Sequence, residues 1–408
     1  MPEYYDAQER ADPQERERTL FESLAAALAR ARAGQPFWAE CLADIDPATV
    51  TKREALATLP VLRKSDLPAI QAETPPFGGL ATVPPGKLSR LFLSPGPICD
   101  PEGHGRDWWG SARALFAAGL RQGEVVLNTF SYHLTPAAAI FESGAHTLGC
   151  AVIPAGPGNT ADQLTAIEQF RPSFYVGTPD FLKIILDKAA EEGRDAGSIR
   201  NAVVSGAALP DSLRQELAGR GVEMRQCFGT ADLGVVAYEA DGPGLVVNEG
   251  LIVEIVQPGT GQPVADGEVG EMLVTRLTPE YPLFRFATGD LSAVLTVPAP
   301  DGRTNMRIRG WLGRADQATK VKGMFVRPEQ IAAVAAAVPG TGRLRLVVTR
   351  EGEQDRMELR AEHVDAGAEA PLAAKLAEIT RLNGTVTLLP PGSLPNDGKV
   401  IVDERNAG

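Results

Sequence analysis

Four glycine-bounded segments place charged side chains where a loop could present them to a ligand. In Phe284-Arg285-Phe286-Ala287-Thr288-Gly289-Asp290 an apolar run stops at a glycine followed by an acid. A carboxylate there accepts two hydrogen bonds from a vicinal diol such as a ribose; its plain reading is a turn residue. Cys227-Phe228-Gly229-Thr230-Ala231-Asp232 repeats the pattern, with an aromatic ring that can stack on a planar base and an acid that suits Mg²⁺. Asp232 reads equally as an N-cap. Between Gly313 and Gly323 lie Arg314, Lys320, Lys322 and one acid, Asp316, a composition that fits a hinge or a solvated turn. Near the end, Leu394-Pro395-Asn396-Asp397-Gly398-Lys399-Val400 holds a lysine directly after a glycine, either an exposed hairpin lysine or a point charge for a phosphate or carboxylate.

These segments sit in a chain of 408 residues with 40 Lys+Arg and 52 Asp+Glu, a net charge of −12. That length allows two or three domains and ample buried core. The acidic balance predicts no nucleic-acid partner and no polybasic membrane contact. The first twenty residues are charged from Glu3 onward and do not read as a signal peptide, and no run of about 18 apolar residues predicts a membrane span. Cys41, Cys99, Cys150 and Cys227 form no C-x-x-C pair and read as reduced thiols, so the expected location is cytoplasmic.

The elements that must position the four segments follow from periodicity. Residues 1–75 read as helical, with one helix over 19–33 ended by Gly34. Residues 74–105 are Pro- and Gly-rich and read as loop around one strand, Leu88–Ser94. From 107 to 230 short apolar runs (EVVLNTF, CAVIPAG, SFYVGT, NAVVSG) alternate with helical stretches, the first over 108–121. That pattern predicts βα units and a parallel sheet covered on both faces, with ligands at the strand ends. From 245 to 322 strands parted by Gly and Pro predict an antiparallel sheet or small barrel. Residues 323–408 read as helix, hairpin, helix, strand, a compact α+β unit.

Taken together, the order and spacing of these motifs resemble the adenylate-forming acyl-CoA synthetase superfamily, most closely the phenylacetate–CoA ligase family. The resemblance spans nearly the whole chain and includes Gly177-Thr178-Pro179, the Ser205-Gly206-Ala207-Ala208 turn, Val326-x-Pro328-Glu329-Gln330 behind the Gly313–Gly323 segment, and the terminal proline-to-GK motif. It implies an α/β fold. The N-terminal adenylate-binding domain would be 1–315, with a β-rich, barrel-like part over 245–315. A small mobile lid would be 316–408, hinged near Asp316. It implies that Asp290 binds ribose, that Phe228, Gly229 and Thr230 with Gly206, Ala207 and Ala208 hold the adenine, and that Asp232 takes Mg²⁺. Arg314 would meet phosphate or ribose, and Lys399 would bridge carboxylate and α-phosphate. Tyr132 and His133 would line the acyl pocket, and Lys320 and Gly323 would face the thiolation step. The implied activity is ATP-dependent ligation of an aryl or arylacetic acid to coenzyme A, in a homodimer, with no zinc.

One segment departs from the family. Its phosphate loop is a Ser/Thr/Gly-rich run ending G-K-P, an anion nest. The same place here is Phe92-Leu93-Ser94-Pro95-Gly96-Pro97-Ile98-Cys99-Asp100-Pro101-Glu102-Gly103. It lacks Thr and Lys, its prolines lack N–H donors, and Asp100 and Glu102 would add negative charge beside a phosphate; His104 and Arg106 are the nearest compensating groups. Two alternatives therefore remain open: an altered relative that binds nucleotide, acyl-adenylate or acyl-CoA, or an adenylating enzyme that delivers to a carrier protein.

Overall fold

A computed structural model of the chain describes residues 3–94, 96–297, 299–315, 319–321, 324–351, 354–395, 397 and 399–405. They fall into two units. One comprises Met1–Val253, Val274–Phe286 and Leu295–Gly310; the other comprises Glu254–Leu273, Ala287–Val294 and Trp311–Gly408.

The first unit opens with a helix, Pro13–Gly34. Asp12 caps it by accepting from the backbone N–H groups of Gln14 and Glu15, and Pro13 supplies a preset φ at its first turn. Phe21, Leu24, Leu28 and Ala31 form its buried face. Of the nine strands in the main sheet, eight lie side by side in the order Ala151–Pro154, Val125–Asn128, Phe174–Gly177, Asn201–Val204, Glu223–Thr230, Gly234–Glu239, Leu245–Val247 and Arg307–Ile308. The first five are parallel and the rest antiparallel. Helices Ala137–Thr147, Thr160–Phe170, Pro179–Glu192 and Asp211–Gly219 link the parallel strands. Leu127, Tyr175, Leu182, Ile185, Ala202 and Val204 pack between sheet and helices. The central strands Val125–Asn128, Phe174–Gly177 and Asn201–Val204 are mostly apolar and buried because both faces are covered.

The N-terminal segment is built into this unit. The Tyr4 hydroxyl donates to the Asp301 carbonyl, Arg303 pairs with Glu9 at 3.0 Å, and Arg16 donates to Thr304 Oγ1 at 3.0 Å.

Two expectations for this unit are corrected. The helix expected over 108–121 is only Ala112–Ala117. Gly110 at φ +69° breaks the chain before it, and Asp107 Oδ1 accepts from the backbone N–H groups of Ser111 and Ala112, which sets its start. The stretch expected as loop after Ser94 holds a second strand, Ile98–Glu102, antiparallel to Arg90–Ser94. Pro101 hid it, since proline is tolerated in a two-stranded edge position.

The β-rich stretch is an open sheet. Leu251–Val256, Gly270–Arg276 and Leu283–Ser292 lie in one four-stranded row, and among the described residues no strand closes it into a barrel.

In the second unit Leu344–Glu351 and Gln354–Glu362 form an antiparallel hairpin, flanked by the parallel strands Ile401–Asp403 and Thr385–Leu389. Helices Pro328–Ala337 and Glu369–Thr380 cover it, burying Ile331, Val334, Leu346, Leu359, Leu372 and Leu376. No helix among the described residues is long and apolar enough to cross a membrane.

Candidate active site

The sequence-expected residues divide between the two units. In the first, they gather at the carboxyl ends of neighbouring parallel strands. Val125–Asn128 leads to Phe130, Phe174–Gly177 to Thr178, Asn201–Val204 to Ser205 and Gly206, and Glu223–Thr230 ends in Phe228-Gly229-Thr230. The strand order turns back at Val125–Asn128, a place where α/β sheets open a crevice. Ser205 Oγ donates to the Cys227 carbonyl at 2.9 Å, tying two of these ends together. Gly206, Ala207 and Ala208 are exposed, and Gly206 stands at φ +74°. Phe228 is half-buried beside a bulge, where the register against Gly234–Glu239 shifts between Phe228 and Gly229. A bulge of this kind re-aims side chains at a strand end. Gly229 is required there, because a Cβ would lie 2.5 Å from the Gly234 carbonyl oxygen.

Asp232, in the turn after Thr230, is 2% exposed. Lys64 Nζ stands 2.6 Å from its Oδ2, a partner that no sequence pattern indicated. Its Oδ1 is buried and takes no hydrogen bond. An acceptor left open in this way suits a hard cation, while Lys64 competes for the same group. Among the described residues no group of three or more His, Cys, Asp or Glu side chains is placed to hold a metal ion by itself. Arg276 lies under the same turn, donating to the Asp232 carbonyl at 3.0 Å and the Trp108 carbonyl at 2.8 Å. Its guanidinium sits 3.6 Å from the Trp108 ring centroid, and burial pulls its pKa down to about 9.

The divergent loop does not present its acids as the sequence suggested. Asp100 is 1% exposed and Glu102 is buried against Arg90 at 3.4 Å. Hairpin pairing turns Phe92 and Asp100 to one side and puts the carboxyl under Tyr281 and Asp232. His104 and Arg106 stay exposed, and Arg106 donates to the Thr147 carbonyl.

Burial, and then the Asp232 charge, push the Asp100 pKa up to about 7. The folded protein therefore holds this proton more tightly than the unfolded chain, whose aspartate titrates near pH 4. That contribution to stability is full below about pH 4 and is lost as pH rises toward about 7. Asp100→Asn should accordingly raise the melting temperature, more at pH 8 than at pH 4.5. Thermal unfolding at both pH values checks this, and an equal shift at both would refute it.

Tyr132 and His133 lie on an exposed loop after Phe130. The Tyr132 hydroxyl donates to Glu142 at 2.9 Å and accepts from Asn128 at 3.1 Å. Of the other aromatics, Trp108, Trp109, Phe174 and Tyr175 are core. Cys227 is buried, its thiol pushed up to about 12, so it carries no reactive thiolate.

In the second unit Asp290 and Arg314 meet directly. Arg314 donates to Asp290 Oδ1 at 3.1 Å, and the two residues bridge through their backbones. The Trp311 indole N–H donates to the same oxygen at 3.0 Å, although the Trp311 side chain is 57% exposed. Sequence reasoning passed over Trp311; its signal was a lone large aromatic between Gly310 and Gly313. Lys399 is exposed on a loop strapped by Arg345, which donates to the carbonyls of Lys399 and Pro395 and to Asp397. It lines a cavity of about 610 Å³ with Val264, Ala335, Arg343 and Leu344. Asp316 and Gly323 lie outside the described residues. Lys320 is described only by its backbone, in the strand Thr319–Val321.

Comparison with known proteins fits this geometry. Residues 107–278 match the family model described as AMP-binding enzyme. The phenylacetate–coenzyme A ligase of Thermus thermophilus is 29% identical, covering 88% of this chain and 89% of that protein. The phenylacetate–coenzyme A ligase of Pseudomonas putida is 30% identical, covering 84% of this chain and 81% of its own length. This chain belongs to the phenylacetate–CoA ligase family. Among solved structures, 2-hydroxyisobutyryl-CoA ligase in an open conformation superposes with a TM-score of 0.72 at 22% identity, over 99% of this chain and 96% of that one. That likeness shows a shared fold over nearly the whole of both chains.

Proposed function

We propose that this chain is an ATP-dependent carboxylate–CoA ligase that activates an aryl or arylacetic acid through an acyl-adenylate. Membership of the phenylacetate–CoA ligase family over four-fifths of the chain carries the reading. In the first half-reaction a carboxylate oxygen bonds to the α-phosphorus of ATP and the bond to the β-phosphate oxygen breaks, releasing pyrophosphate. In the second, the CoA sulfur bonds to the acyl carbon and AMP leaves.

The first step joins two anions, so its catalysis is positioning plus neutralisation of charge. Phe228, with the Gly206–Ala208 turn, takes the adenine. Asp290, held by Trp311 and Arg314, takes the ribose. Lys399 neutralises the meeting carboxylate and phosphate, and Mg²⁺ at Asp232 would supply further neutralisation when bound. Tyr132 and His133 border the acyl group. Residues 316–408 serve as a lid hinged near Asp316, and Lys320 and Gly323 face the thiolation step. A homodimer and a cytoplasmic location remain part of this proposal. Asp100 and Glu102 are turned inward and Glu102 pairs with Arg90, so neither acid is presented outward from the 94–103 segment, which supports the ligase over a non-catalytic relative.

The test is substrate-dependent release of AMP and pyrophosphate from MgATP, with a panel of aryl and arylacetic acids and CoA. Turnover with at least one acid is expected. Binding of AMP or acyl-CoA without turnover on any acid would favour the altered relative, and turnover only with a carrier protein would change the acceptor.

A further inference from the structure

Under the Asp232 turn, Asp232 and Asp100 share a buried pocket with Lys64 and Arg276, Glu280 lies close to Arg276, and the contacts within this group are unequal. Arg276 spends its donors on the carbonyls of Asp232 and Trp108. Lys64 is the cation that touches a carboxylate, at 2.6 Å from Asp232 Oδ2. Two carboxylate oxygens, Asp232 Oδ1 and Asp100 Oδ2, are buried without a hydrogen bond. Such oxygens are costly unless something pairs with them. Lys64 is also the most exposed member of the pair, its side chain 26% exposed against 1% for Asp232. The ammonium therefore has a path to water that the carboxylate lacks.

We propose that Lys64 is a displaceable internal counter-ion: its ammonium holds Asp232 until a divalent cation arrives, and the cation binds only by evicting it. A divalent cation on Asp232 and an ammonium 2.6 Å from the same carboxylate would repel each other in a buried setting, so the two occupancies exclude one another. Asp100 makes the place electronegative enough to need one of them at all times. Free metal then binds weakly, because it must displace the ammonium, and binds better when a triphosphate arrives with it, so the acid pair stays compensated in the resting protein. This inference rests on the ligase reading only in taking Asp232 as the cation ligand.

The test uses Mn²⁺ alone, without nucleotide, with free Mn²⁺ followed by electron paramagnetic resonance on the full chain. Lys64→Gln should bind Mn²⁺ at least about tenfold more tightly than the unaltered chain, because the competitor is gone. Lys64→Arg, which keeps the charge, should not. Adding Asp232→Asn to Lys64→Gln should abolish the gain. Equal tightening in Lys64→Gln and Lys64→Arg, no tightening in Lys64→Gln, or a gain that survives Asp232→Asn would each overturn the proposal. A second measurement needs no variant: acetylation of Lys64 in the unaltered chain, read by mass spectrometry, should speed up several-fold at saturating Mn²⁺. An unchanged rate would also overturn it. Pyrophosphate release by the unaltered chain tests the ligase reading separately, so the two can fail independently.

Discussion

Lys399→Ala should lose adenylation by about 10² to 10³-fold, the size of effect seen when one preorganised charge-stabilising donor is removed from a transition state. The loop that carries Lys399 is strapped by Arg345 through the carbonyls of Lys399 and Pro395, and these backbone contacts survive truncation of the lysine side chain. The variant should therefore fold as before and lose the charge alone. Its second half-reaction, measured as thioester formation from a pre-made acyl-adenylate and CoA, should be nearly unchanged. The split between the half-reactions separates a chemical role from a structural one. Equal losses in both would place Lys399 in substrate binding at large, and full pyrophosphate release would remove it from the mechanism.

Arg276→Ala should destabilise the first unit by about 3–5 kcal/mol, the range for removing one partner from a buried charge cluster. Arg276 is 3% exposed and stacked against Trp108. Its removal leaves Asp100 and Asp232 with Lys64 as their one close cation and frees two buried carbonyls. The lost cation–π contact adds to this. Denaturant unfolding should show a lower midpoint, and Asp100→Asn in the same background should restore part of it by deleting one of the uncompensated charges. Arg276→Lys should fall between, keeping the charge but not the forked donation. A midpoint unchanged within error in Arg276→Ala would show that the cluster contributes little to stability.

The parallel sheet was legible because each of its strands is a short apolar run bounded by a helix, and NAVVSG or SFYVGT has few other ways to fold. The C-terminal unit was legible for a similar reason: the hairpin Leu344–Glu351 and Gln354–Glu362 alternates around an acidic turn. Asp290 and Arg314 were each singled out by motif, while their direct contact was not. The Lys64–Asp232 pair could not be anticipated, since its members are 168 residues apart and Lys64-Ser65-Asp66 reads locally as a helix start. Asp100 was misjudged because charge alone was read from the segment, while hairpin pairing decides which way the side chain faces. Arg276 carried no motif at all; its role comes from being buried under two tryptophans.

The docking of the first residues onto the 301–304 stretch has a consequence for how the molecule is made. Tyr4 waits for Asp301 and Arg16 for Thr304, partners 297 and 288 positions later. On the ribosome, this segment stays without its docking surface until residues nearly 300 positions later have been synthesised. Glu9 spends that interval as a solvated ion, and it and Arg303, both buried in the finished unit, must desolvate together at the end. The first unit thus closes late and over long sequence distances, a pattern that slows folding and exposes half-made intermediates to aggregation.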